Sequence, residues 1–223
     1  PGCAGLKSCE LQINSGILFF LADDIQFSTS LKIQKTPIKT PTGIHWLGIP
    51  ILRSHRGKIK IREVRIDTTR HWRKKHYRSI KVNYCYAPYF EWFVEIFNPI
   101  FSSNWTFLVD VNLKTIELVQ KAIGLEKELR LTSDFSYPSG ATESIVSLTQ
   151  QVGGTHYIAG EPERSFLKPD LFEQGGISLD FLSPTIQPYP QLFGNFVADL
   201  SIIDLLCNVG PYTLRWLSAH CFS

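Results

Sequence analysis

The chain has 223 residues, 43% hydrophobic and 13% aromatic against 19% charged, with a net charge of +3. A chain of that length can bury roughly 70% of its unfolded surface, so the composition excludes a disordered tail protein and calls for no metal or disulfide staple. The longest apolar run, Gly16 to Ala22, is seven residues, far short of the about 20 that a membrane span needs.

Pro1 to Gln12 lacks the apolar centre of a secretory signal. The chain holds no Met, even at position 1, so we expect its true start to be missing. Gly16–Ala22 reads as a buried strand closed by Asp23-Asp24. Ile44–Ile51 and Lys58–Ile66 read as further strands. In the latter, the shift of phase between Ile61 and Val64 predicts a bulge or bend. Asp67-Thr68-Thr69 predicts the N-cap of a helix through Tyr84, with Trp72, His76 and Ile80 on one stripe. Pro88 predicts the start of a helix to about Phe97, before Pro99. Asn104 predicts the cap of a helix over Trp105–Ile123, stopped by Gly124. There follow a strand at Leu125–Leu131, a helix at Ala141–Val152, a strand at Thr155–Ala159, a short helix at Pro169–Gln174 and a strand at Ile177–Phe181. A last helix, Leu200–Cys207, is stopped by Gly210-Pro211. This alternation predicts an α/β fold: a single three-layer domain, a mostly parallel sheet with helices on both faces, and the strands of residues 17–22, 125–131, 155–159 and 177–181 in it.

In such a fold ligands bind beyond the carboxyl ends of the strands. Asp23, Asp24, Ser133, Asp134, Gly160, Glu161 and Asp180 are predicted there, with loops 160–165 and 183–193 as walls. Adjacent residues on a strand face opposite ways, so only one of Asp23 and Asp24 can face a given site. His76 reads either as a hydrogen-bonded core histidine or as a base for proton transfer. Cys3, Cys9, Cys85, Cys207 and Cys221 form no CxxC pair; they read as buried free thiols in a reducing compartment, with a nucleophilic Cys207 as the alternative. Residues 53–81 hold twelve Lys or Arg against Glu63 and Asp67, a local charge of +10 that leaves −7 on the remainder. A block of that density is either a solvated face or a surface for an anionic partner. No GxGxxG, Walker-type loop, GxSxG, HExxH or nucleic-acid reader motif is present.

Several segments carry a family resemblance: Asp23-Asp24-Ile25-Gln26-Phe27, Ile38 through Pro50, Trp72-Arg73-Lys74-Lys75-His76 with Ile80 and Asn83-Tyr84, and Ala87-Pro88-Tyr89-Phe90. So do Tyr157-Ile158-Ala159-Gly160, Tyr189-Pro190-Gln191-Leu192-Phe193, and Leu200 through Gly210. Together, over about residues 17–212, they strongly resemble the WbqC-like family, a bacterial family of transferases. The resemblance implies a cytoplasmic protein of O-antigen, polysaccharide or natural-product assembly that moves glycine or another acyl group onto an amino sugar. It departs from the family in two places. The family's initial His-Gln-Pro-x-Tyr-Leu-Pro-Trp segment is not present, and Gln34-Lys35-Thr36 stands where members carry Asn-Arg-Asn.

On this resemblance His76 is the expected base and Asp24 a base or orienter. Gln26, Trp46, Lys75, Tyr84, Gln191, Ser201, Asp204 and Asn208 are the expected substrate-binding residues, with no metal and no cofactor. Asp24, Gln26, His76, Gln191 and Asn208 are expected around one concave pocket. The expected partners are a nucleotide-linked sugar or other anionic small molecule and an acidic acyl carrier protein, with neither nucleic acid nor a membrane. The alternative is a binding or assembly module of the same family whose catalytic residues have eroded.

Overall fold

The structure, a computed structural model, describes residues 8–13, 16–52, 59–125, 127–183 and 185–220. They divide into two compact units. One holds the described residues within 25–126 and 185–223, the other those within 7–24 and 127–184. The strands are β1 (Ser8–Ile13), β2 (Gly16–Leu21), β3 (Lys35–Thr40), β4 (Gly43–Gly48), β5 (Glu128–Leu131), β6 (His156–Gly160) and β7 (Ser178–Leu182). The helices are α1 (Trp72–Tyr84), α2 (Phe90–Ser102), α3 (Leu108–Ile123), α4 (Ala141–Gln151), α5 (Pro169–Gln174), α6 (Ile202–Val209) and α7 (Thr213–His220). This is an α/β chain, and no described helix is long and apolar enough to cross a membrane.

The second unit is built on a five-stranded sheet in the order β5-β2-β1-β6-β7. The four strands expected in one sheet are there. The expectation of a mostly parallel sheet is corrected: β2–β5 and β6–β7 pair parallel, but β1 runs antiparallel to both β2 and β6. In β2, Leu18 and Phe20 recur at the strand period and are buried with Leu148, Tyr157 and Phe172. Phe20 meets Phe135 edge-on at 5.2 Å, and Tyr157 stacks on Phe172 at 5.4 Å. Asp180, expected at a strand end, lies inside β7.

The first unit packs α1, α2, α3 and α6 against the antiparallel hairpin β3–β4. On α2 the buried residues Phe90, Phe93, Phe97 and Ile100 fall at helical spacing. That stripe carries the helix past Pro99, where a stop was expected; the carbonyl losing its helical donor is that of exposed Glu95. Over the described residues 59–66 of the expected strand the chain instead forms a 3-10 turn, Ile61–Glu63, at the place where the phase shifts. There the Glu63 carboxylate folds back to accept the Lys60 N–H at 2.9 Å and turns the chain. Arg65 then bridges Phe107, and Leu108 N–H donates to Val64 O, so α3 begins three residues later than Trp105. It ends as expected at Gly124, in the left-handed region at φ 69°. Asp67 takes up Thr69 and Arg70 in a local turn, and α1 starts after it at Trp72. The helix expected to stop at Gly210-Pro211 does end there, but Gly210–Tyr212 form a 3-10 turn that leads into a further helix, α7.

Candidate functional site

Five of the expected site residues, Tyr84, Gln191, Ser201, Asp204 and Asn208, belong to one hydrogen-bonded cluster in the first unit. Its centre is Asp204, fully buried on α6. The Tyr84 hydroxyl donates to Asp204 Oδ1 at 2.9 Å, and the Tyr189 hydroxyl donates to Oδ2 at 2.7 Å. Burial pushes the Asp204 carboxyl up; the two hydroxyls and the Lys39 ammonium pull it back. Burial, reinforced by the Asp204 charge, pushes both phenols well above their ordinary value.

Lys39, 2% exposed on β3, is the cation of this cluster. Its Nζ donates to Gln191 Oε1 at 3.1 Å and to the Asn195 carbonyl at 2.6 Å, while its backbone N–H donates to the Tyr84 hydroxyl at 2.9 Å. The Gln191 amide mimics a peptide: Oε1 accepts from Val197 N–H and Nε2 donates to Val197 O. It thereby pins an irregular segment in which Phe193 and Asp199 adopt left-handed backbone at φ 61° and 58°. Ser201 caps α6, its Oγ accepting from Ile203 N–H, and its own N–H donates to Pro37 O of β3. One helical turn past Asp204, Asn208 donates to the Asp204 carbonyl.

His76 and Trp46 lie elsewhere on the same unit. The stripe on α1 runs Trp72, His76, Ile80 and on to Tyr84, and all but half-buried His76 are buried. His76 Nε2 lies 3.0 Å from the Gly48 carbonyl of β4. A carbonyl only accepts, so Nε2 carries the proton and Nδ1 keeps its lone pair. Burial pushes His76 down to about 4, so the ring is neutral at pH 7. Trp46 is exposed on β4, with Lys32 and Lys35 against its ring. Lys75 is exposed on α1, and Gln26 is exposed where it bridges Lys60. Within the basic block, Lys74, Lys75, Arg78 and Lys81 are exposed on α1. Arg53, Arg56 and Lys58 lie outside the described residues.

Asp24 belongs to the other unit. Asp23 and Asp24 follow β2 in a bend, so the alternation expected of a strand does not apply to them. Both carboxylates reach Thr132, whose hydroxyl donates to Asp24 Oδ1 at 2.6 Å, and Asp23 Oδ1 accepts the Ser133 N–H at 3.0 Å. The Tyr137 hydroxyl also donates to Asp24, and burial with that bond pushes the phenol up to about 12. Cys207 is buried, as expected, and burial next to Asp204 pushes its thiol far up, which removes it as a nucleophile; Cys85 is exposed, against expectation. Among the described residues no group of three or more His, Cys, Asp or Glu is placed to hold a metal ion.

Lys39 and Tyr189 are absent from the expected set, although both stand inside the recognised motifs. A lysine between Ile38 and Thr40 on a strand gives no sign from sequence that it is buried. The model of the WbqC-like protein family matches residues 11–216. The uncharacterized protein Rv1507c of Mycobacterium tuberculosis (strain ATCC 25618 / H37Rv) is 31% identical over 203 residues, covering 89% of this chain and 87% of that protein. No solved structure matches. The chain belongs to the WbqC-like protein family.

Proposed function

We propose that this WbqC-like protein transfers an acyl or aminoacyl group, of the glycyl type, from a thioester to the amine of a nucleotide-linked amino sugar, in the assembly of a surface glycan or natural product. The observation that carries the reading is the Lys39–Gln191–Asp204 cluster with its two tyrosines. It keeps a fixed cation and a carboxylate out of water in one unit, an arrangement that costs several kcal/mol of desolvation per ion. In the reaction the amine nitrogen attacks the carbonyl carbon, the C–S bond breaks, and the nitrogen loses a proton while the departing thiolate gains one. A nitrogen that has already attacked is acidic, so a weak base suffices, and neutral His76 with a lone pair on Nδ1 suits that step. Gln191, Ser201 and Asn208 position the cluster, while Gln26 and Lys75 are exposed groups open to substrate. Asp24 stays a candidate within its own unit. The exposed cations of α1 suit an acidic acyl carrier protein as the bearer of the thioester.

The test incubates the protein with a glycyl thioester and an amino-sugar nucleotide and follows the sugar by mass spectrometry. A gain of one glycyl residue, lost in His76→Gln and in Lys39→Met, is the expected result. Binding of the nucleotide without product from any acyl thioester overturns the transferase reading and favours the binding module.

A further inference from the structure

Trp46 is 42% exposed on β4, with Ile44 of the same strand 50% exposed. In the hairpin register Trp46 faces Pro37 and Gly48 faces Lys35, which makes Lys35 the diagonal neighbour of the indole on one face of the ribbon. Lys35 Nζ lies 5.1 Å from the ring centroid. Lys32 approaches the same ring from outside the hairpin, with Nζ at 5.2 Å, its own backbone held in the left-handed region at φ 56°. Neither ammonium has an acidic partner among the described residues.

Two like charges gathered on one solvent-facing aromatic ring, without a carboxylate, repel one another and gain only a weak cation–π attraction at an exposed site. A dianion whose two charged groups can each take one ammonium relieves the repulsion. Once an ammonium has swung off to a phosphate, a face of the indole is open to a flat ring, which every nucleobase supplies. A free phosphate lacks the ring, and an acidic peptide spreads its charges and any ring over separate side chains, whereas a nucleoside diphosphate carries both in one small molecule. We propose that Trp46, Lys32 and Lys35 form a binding site for a nucleoside diphosphate, the base stacked on the indole and the phosphates held by the lysines. The site stands on the geometry of the hairpin; that the nucleotide carries the acceptor sugar rests on the transferase reading above.

The experiment titrates uridine diphosphate, uridine and inorganic pyrophosphate into the full chain by calorimetry, at low and high salt, for wild type, Trp46→Ala, Trp46→Phe, Lys32→Gln and Lys35→Gln. All three side chains reach solvent, and matched circular dichroism and melting confirm that each variant is folded. Uridine diphosphate should bind wild type at low salt and weaken as salt rises. Trp46→Ala should lower that affinity by roughly 5- to 100-fold, with Trp46→Phe restoring most of it. Each lysine variant should weaken the diphosphate several-fold and leave uridine unchanged. Unchanged affinity in Trp46→Ala, pyrophosphate binding as tightly as the nucleotide, or no nucleotide bound at low salt each overturns the site. Trp46-dependent binding without glycyl transfer leaves the site standing and removes only the transferase reading.

Discussion

Lys39 and Gln191 meet across 152 residues of sequence, the ammonium 3.1 Å from the amide oxygen. That contact joins strand β3 to the segment carrying Asn195 and Val197, and sets a positive charge beside buried Asp204. Lys39→Met keeps the unbranched side chain out to Cε and removes the ammonium, leaving the Asp204 carboxylate without its cation. We expect a loss of about 3–5 kcal/mol in urea unfolding. Adding Asp204→Asn should cost less than the two single changes summed, with a coupling of ~0.5–3 kcal/mol; strict additivity would show the two groups to be independent.

The two tyrosines on Asp204 are not equivalent. Tyr189→Phe removes one hydrogen bond to the carboxylate and should cost ~1.5–3 kcal/mol. Tyr84→Phe removes the other and also strips the acceptor from the buried Lys39 N–H, adding a further ~1–3 kcal/mol. Equal losses in denaturant melts of the two variants would contradict this double role.

His76 predicts a pH dependence of stability. Its folded-state value is depressed to about 4 from 6.5, so between those values the unfolded chain binds the proton and the folded chain does not. Stability therefore rises with pH across that window, is complete above 6.5, and is lost as pH falls toward 4. Allowing for the ring's partial exposure, the effect is ~1–3 kcal/mol. Urea midpoints of His76→Gln should show a flatter acid limb than wild type, while parallel limbs would exclude the histidine as its source.

Gly210 and Gly124 both have positive φ, 62° and 69°, yet differ in surroundings. A Cβ on Gly124 meets nothing within 4 Å, so Gly124→Ala should cost only the left-handed backbone, ~1–2 kcal/mol. A Cβ on Gly210 overlaps the Tyr89 ring, and Gly210→Ala should lose ~3 kcal/mol or more. Thermal melts of the pair measure the difference.

The helices and strands of residues 125–182 were legible because glycine stops and apolar runs mark each boundary, as at Gly124 and Gly153-Gly154. Strand β1 is not among the expected elements, although Cys9-Glu10-Leu11-Gln12-Ile13 alternates with the strand period. The 3-10 turn at Ile61–Glu63 depends on one Glu63 contact that no periodicity reveals. Tyr84, Gln191, Ser201, Asp204 and Asn208 came from motif likeness, which marks residues without saying what they touch. Lys39 was missed because its burial depends on Gln191 and Asn195, over 150 residues away in sequence.

Among the described residues both units are assembled from two separated stretches of chain, and the stretches interleave. During synthesis the five-stranded sheet has all its strands once β7 has emerged. The helical unit must by then wait: Lys39 and Tyr84 have been made, but Tyr189, Gln191 and Asp204 have not. A lysine destined for burial and a phenol destined for a carboxylate thus spend that interval solvated, and the long loop they must close makes their docking a late step. The order of the ribosome's output, rather than the strength of any contact, sets which half of this molecule can be finished first.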